Sequence, residues 1–151
     1  MDEYDPEATD DWRNLACAHF IACHAVRYDE LDADAGHTLE RVTVHVRPRD
    51  GNGFPFCVRR LFVYGQLHGT PGDYAIRVQM LRIGVSDEGE TVLTRREFGP
   101  MAIQVSGENY VEGFAIPLAD VWFAEPGIYE FQLWADGFDD PLARERVQAR
   151  G

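Results

Sequence analysis

Two groups of side chains in this sequence have the types and closeness that chemistry requires. The first is Cys17, His19, Cys23 and His24. Thiolate and imidazole suit zinc, but a tetrahedral site wants four ligands converging on one point, usually in paired short spacings. On an extended chain Cys17, His19 and Cys23 share a side while His24 points away. The first and last then stand about 20 Å apart, at ~3.3 Å per residue. A structural role is the plainer expectation. The second group is acidic: Asp29, Glu30, Asp32 and Asp34 in one segment, and Asp136, Asp139 and Asp140 in another. Ca²⁺ takes six to eight oxygens from such loops. If the strands alternate in direction, both segments fall at the same end of the molecule. Their spacing fits no recognised calcium pattern, so Asp32, Asp34, Asp136, Asp139 and Asp140 are candidate ligands set against merely solvated loops.

Nucleophilic chemistry is poorly served. The serines are Ser86 and Ser106, both in turn-like settings without a Gly-x-Ser-x-Gly elbow. Cys57 has no neighbour in sequence that would activate it. With Cys17 and Cys23 it makes three cysteines and no Cys-x-x-Cys pair. Neither a disulfide framework nor a zinc ribbon follows, and free thiols in a reducing compartment are expected.

The elements that must position these residues announce themselves as strands. Twice a Pro-Gly pair is followed by a Tyr that opens an alternating segment: Pro71-Gly72-Asp73-Tyr74 and Pro126-Gly127-Ile128-Tyr129. A tight turn feeding a period-two strand marks an antiparallel sheet. A Tyr in that position bonds its hydroxyl back to the corner in immunoglobulin-like folds. Further alternating strands are expected over about 18–27, 41–47, 58–67, 74–83, 110–118, 129–136 and 142–148, with a short one near Val92 and Thr94. The apolar stretch Val121-Trp122-Phe123 reads as a plug beneath the sheets. A short helix is expected near Trp12. The architecture expected is all-β: an antiparallel two-sheet β-sandwich of about eight strands, immunoglobulin-like or C2-like, over residues 12–151.

Residues 1–11 carry six carboxylates and read as a flexible acidic tail. The formal charge of −12 repels phosphate backbones and anionic lipid, so nucleic-acid binding is not expected. No apolar run reaches the ~20 residues of a membrane span, and the acidic start is no secretory signal. Cytoplasmic residence is the expectation.

From Phe20 onward the chain resembles a family of small bacterial proteins known only as a domain of unknown function. The features that carry this are Ile21-Ala22-Cys23, Phe54-Pro55, Leu61-Phe62-Val63-Tyr64, Gly72 with its Tyr, and 123–133 with Asp136-Gly137. The resemblance implies a compact β-sandwich and supplies no catalytic residue. The loop 28–38 and the acidic tail depart from the pattern.

Both faces of a sandwich strand cannot be core. Phe62 and Tyr64 alternate against Leu61, Val63 and Leu67, and Trp134 against Phe131 and Leu133. These three rings form a candidate interaction surface. The functional expectation is a non-catalytic binding or protein-interaction module with no cofactor and a protein partner, a second copy of the chain included. The rivals are a calcium-dependent C2-like adaptor and an enzyme whose residues meet only in three dimensions.

Overall fold

The computed structural model describes residues 13–28, 37–42, 45–48, 53–106 and 112–151. Among them there is no helix and there are nine strands in two sheets. The four-stranded sheet has the order β2-β1-β4-β7 and the five-stranded sheet β3-β9-β8-β5-β6. The strands are β1 (Leu15–Tyr28), β2 (His37–Val42), β3 (His45–Val46), β4 (Phe56–Gly69), β5 (Gly72–Ser86), β6 (Gly89–Val105), β7 (Glu112–Phe123), β8 (Gly127–Ala135) and β9 (Ala143–Ala149). All pairings are antiparallel except that of β3 with β9, which is parallel.

Inward-facing residues of both sheets meet in one hydrophobic cluster. Leu61, Val63, Leu67, Phe114, Ile116 and Leu118 come from the first sheet. Ile76, Val78, Phe131, Leu133 and Val147 come from the second. Phe123, Phe131 and Leu61 are fully enclosed. Each such side chain stabilises the fold by roughly 1.5–3 kcal/mol relative to exposure.

Both expected tyrosine corners are present. Tyr74 Oη donates to Thr70 O at 2.6 Å and Tyr129 Oη donates to Glu125 O at 2.8 Å. Gly72 and Gly127 carry φ of 153° and 150°, a region other residues rarely enter. The same corner geometry therefore selects the same Pro-Gly-x-Tyr sequence twice.

Several expectations are corrected. The strand begins at Leu15 and the described residues hold no helix; Trp12 lies outside them, as does the tail 1–11. The segment 41–47 is not one strand: Val42 belongs to β2 in the first sheet and Val46 to β3 in the second. Strand β6 runs unbroken from Gly89 to Val105, where only a short strand near Val92 and Thr94 is expected, and takes Gly99-Pro100 as an irregularity of pairing. Val121-Trp122-Phe123 is the end of β7, paired with Phe56-Cys57-Val58 of β4, and not a plug. Cys17 and Cys23 do not share a side. The pairing of β1 shifts between Ala18 and Ile21, where His19 takes φ 55°, and a one-residue slip turns every later side chain over. Cys17 packs toward the core, whereas fully buried Cys23 stands opposite Phe62.

Candidate functional site

The most distinctive chemistry lies where β4 and β7 break their alternation together. Arg59 and Arg60 are consecutive exposed residues, and the facing Ala119 and Asp120 are exposed too. Asp120 takes φ 51°. The paired irregularity returns Val121 and Phe123 to the core and leaves Trp122 outside, 55% exposed, opposite Cys57. Arg96 of β6 reaches across to this kink and donates to the carbonyls of Asp120 and Ala119. Its guanidinium lies 4.3 Å from the centroid of the Phe98 ring. The kink is thus tied to the edge of the second sheet.

Trp122 divides two concavities. On one side is an open cleft of about 850 Å³, lined by His24, His45, Arg47, Arg59 and Arg60, with Phe54, Phe56 and Cys57 among its walls. On the other is a smaller hollow of about 120 Å³, lined by Arg82, Arg95, Arg96 and Tyr129. Six arginines therefore border Trp122, and among the described residues no Asp or Glu lines either space. The chain contains 26 acidic residues and no lysine. Arg47, Arg59 and Arg95 have no ion-pair partner among the described residues. Arg82 Nη2 is held by Glu125 at 2.6 Å. Glu125 is itself the corner residue whose backbone Tyr129 bonds. The Pro-Gly-x-Tyr turn thereby helps set the floor of the smaller hollow.

Such an array can hold anions and stack planar groups. Arginine forks match carboxylate and phosphate oxygens in pairs, and an exposed indole face takes cations, rings or amide planes. The groups whose titration is clearly displaced lie outside both concavities. Burial pushes the Cys17 thiol up to about 11, outweighing a bond from the Gln66 backbone. Burial also raises Glu145, and Arg146 holds the Glu90 carboxyl below its ordinary range.

The residues singled out from sequence are scattered. Phe62 is half-buried, with the Arg60 guanidinium 5.8 Å from its ring centroid. Tyr64 is only 5% exposed and accepts a bond from Gln66 Nε2 at 3.1 Å, so it offers little contact surface. Trp134 is half-buried in the other sheet, and its Nε1 donates to Gln132 Oε1 at 3.1 Å. The three rings belong to two sheets and do not make one patch. Asp32 and Asp34 lie outside the described residues. Asp136 accepts from Arg77 Nε at 3.1 Å, and Asp139 and Asp140 are exposed in the turn that follows. No group of three or more His, Cys, Asp or Glu side chains converges among the described residues. Trp122 is not singled out in the sequence, where Val121-Trp122-Phe123 reads as a plug. Its signal was the slip from Phe114-Ile116-Leu118 to Val121-Phe123, an alternation that skips one residue as a bulge does.

No protein-family model matches the chain, and no curated protein does. Solved structures do. About 91% of the chain overlays part of Pseudomonas fluorescens alkylpurine DNA glycosylase AlkC bound to DNA containing an abasic site analogue, at TM-score 0.53 and 10% identity. The same share overlays part of a β-glucosidase from Erythrobacter marinus, at TM-score 0.52 and 10% identity. Part of a Listeria innocua β-glucosidase in complex with isofagomine matches 98% of the chain at TM-score 0.50 and 8% identity. The chain spans 30%, 16% and 21% of those proteins respectively. At such identity the likeness is one of fold alone.

Proposed function

We propose that the two sheets pack face to face as a β-sandwich, and that the chain is a non-catalytic binding module which holds an acidic segment of a partner protein across Trp122. The observation that carries this is the contrast between site and chain. Six arginines and an exposed tryptophan line two adjoining concavities with no carboxylate among the described residues, in a molecule of net charge −12. Outside the site, Arg77 pairs with Asp136 and Arg146 with Glu90 and Glu130. That Arg47, Arg59 and Arg95 have no ion-pair partner among the described residues favours an acidic ligand from outside. Tryptophan and arginine are also the residues on which interface energy concentrates.

The test is fluorescence anisotropy with a labelled polyglutamate peptide and, in parallel, a labelled single-stranded oligonucleotide of equal charge. The peptide is expected to bind in a salt-sensitive manner. Trp122→Ala should weaken binding about 30-fold, the size of a truncated tryptophan hot spot of ~2 kcal/mol. Arg59→Glu with Arg60→Glu should abolish it. Preference for the oligonucleotide, by stacking on Trp122, would replace the protein partner with a nucleic acid. Binding of neither probe, or binding indifferent to both sets of substitutions, overturns the proposal.

A further inference from the structure

We infer that the outer edge of β6 pairs antiparallel with the same edge of a second copy of the chain, through Glu90-Thr91-Val92-Leu93-Thr94-Arg95. Thr94 and Arg95 also line the smaller hollow beside Trp122, but the pairing uses the backbone edge of β6 and does not depend on what that hollow binds. Strand β6 is the last strand of its sheet, so one side of its backbone has no strand beside it among the described residues. An exposed edge of this kind is a template for pairing unless the chain blunts it.

The segment is complementary to itself when reversed. Glu90 meets Arg95 and Thr91 meets Thr94, each twice across a two-fold axis that passes between Val92 and Leu93. All six residues are exposed, Val92 by 46% and Leu93 by 51%. Those are large values for aliphatic side chains in a sheet. Val85, 68% exposed on the same hairpin, extends the apolar surface. Arg95 has no ion-pair partner among the described residues.

Backbone phase decides whether such a match can be used. Ser86 and Gly89 close a two-residue hairpin, so they form a hydrogen-bonded pair and Glu90 directs its N–H and C=O away from β5. In a regular strand Glu90 and Arg95, five apart, would point to opposite edges. Here β5 takes two steps from Ile83 to Leu81 while β6 takes three from Val92 to Arg95. That bulge brings Glu90, Val92 and Arg95 into one phase. The irregularity that would spoil most edge pairings is the one this palindrome needs. Glu90 already accepts a forked bond from Arg146, at 3.0 and 2.6 Å, across the face of its own sheet. A carboxylate has lone pairs to spare for an arginine arriving from the edge.

Light scattering across a hundredfold range of sub-millimolar concentration should show a weak dimer, and Arg95→Glu should abolish it while leaving the circular-dichroism spectrum intact. The second measurement traps the register. Thr91 and Thr94 of opposing copies would form a non-hydrogen-bonded pair with Cα atoms about 4.5 Å apart, within disulfide reach. Thr91→Cys with Thr94→Cys should give a covalent dimer under mild oxidation, whereas Thr91→Cys alone should not. A monomer at every concentration, a dimer indifferent to Arg95→Glu, or cross-linking by the single variant as efficient as by the double would each overturn the inference.

Discussion

Removing one oxygen atom from Tyr129 tests the account of the corners directly. Its ring is 3% exposed and packs edge-on against Phe123 with centroids 4.9 Å apart. Tyr129→Phe keeps that ring and opens no cavity. What it deletes is the donor to Glu125 O at 2.8 Å and the acceptor of a longer bond from Glu125 N at 3.3 Å. A net hydrogen bond contributes about 0.5–1.5 kcal/mol, and a carbonyl left unsatisfied in a part-buried turn adds to that, so a loss of about 1–2 kcal/mol is expected. For a chain of this size that corresponds to a fall of roughly 2–8 °C in Tm. Tyr74→Phe should cost a similar amount, through loss of the bond to Thr70 O at 2.6 Å. The two corners lie at opposite ends of β5, because Tyr129 pairs with Arg82, eight residues from Tyr74, or about 26 Å away. Their effects should therefore add within about 0.5 kcal/mol in the double variant. Equilibrium unfolding in urea, followed by tryptophan fluorescence, measures all three. Midpoints within error of the parent for both single variants would show that the hydroxyls do not hold the turns. A strongly non-additive double would show that the corners are not independent.

Gly65→Ala should destabilise by about 1–3 kcal/mol through overpacking, because its Cβ would stand 2.6 Å from Phe114 Cζ and 2.9 Å from Cys17 Sγ; Phe114→Leu in the same background should return part of the loss in urea midpoints. Thiol titration of the native protein at pH 8 should label Cys57, half-buried in the large cleft, ahead of Cys17, whose thiol is raised to about 11, and of fully enclosed Cys23; Cys57→Ser should remove the fast phase. Glu90 is held below its ordinary value of 4.5 first by its hydrogen bonds to Arg146, partly offset by desolvation, with that residue's charge adding a smaller lowering. A depressed carboxylate stabilises above its unfolded pKa and loses that contribution as pH falls through the folded one. Glu90→Gln should accordingly be less stable than the parent at pH 7. The gap should begin to close as pH drops below about 4.5, and should narrow in high salt, since the pair is exposed.

The strand content and both corners were legible in the sequence because they rest on neighbours along the chain. Alternation of Tyr74, Ile76, Val78 and Met80 needs only the two-residue period of an extended backbone. Pro-Gly-x-Tyr needs only a fixed φ, a glycine where φ is positive and a hydroxyl four residues from its acceptor. Three features depended on partners distant in sequence. The bulge at Ala18 to Ile21 placed Cys17 and Cys23 on opposite faces, and no local pattern marks the residue at which pairing slips. Val42 and Val46 went to different sheets, because which neighbour supplies the ladder is set by the whole arrangement of strands. The third is the gathering of Arg47, Arg59, Arg60, Arg82, Arg95 and Arg96 around Trp122 from four separate stretches of chain. Sequence determined what each segment becomes, since side-chain period and turn stereochemistry act over a few residues. Tertiary structure alone decided which charges share a surface, because that follows from how strands kink and which edges they bring together.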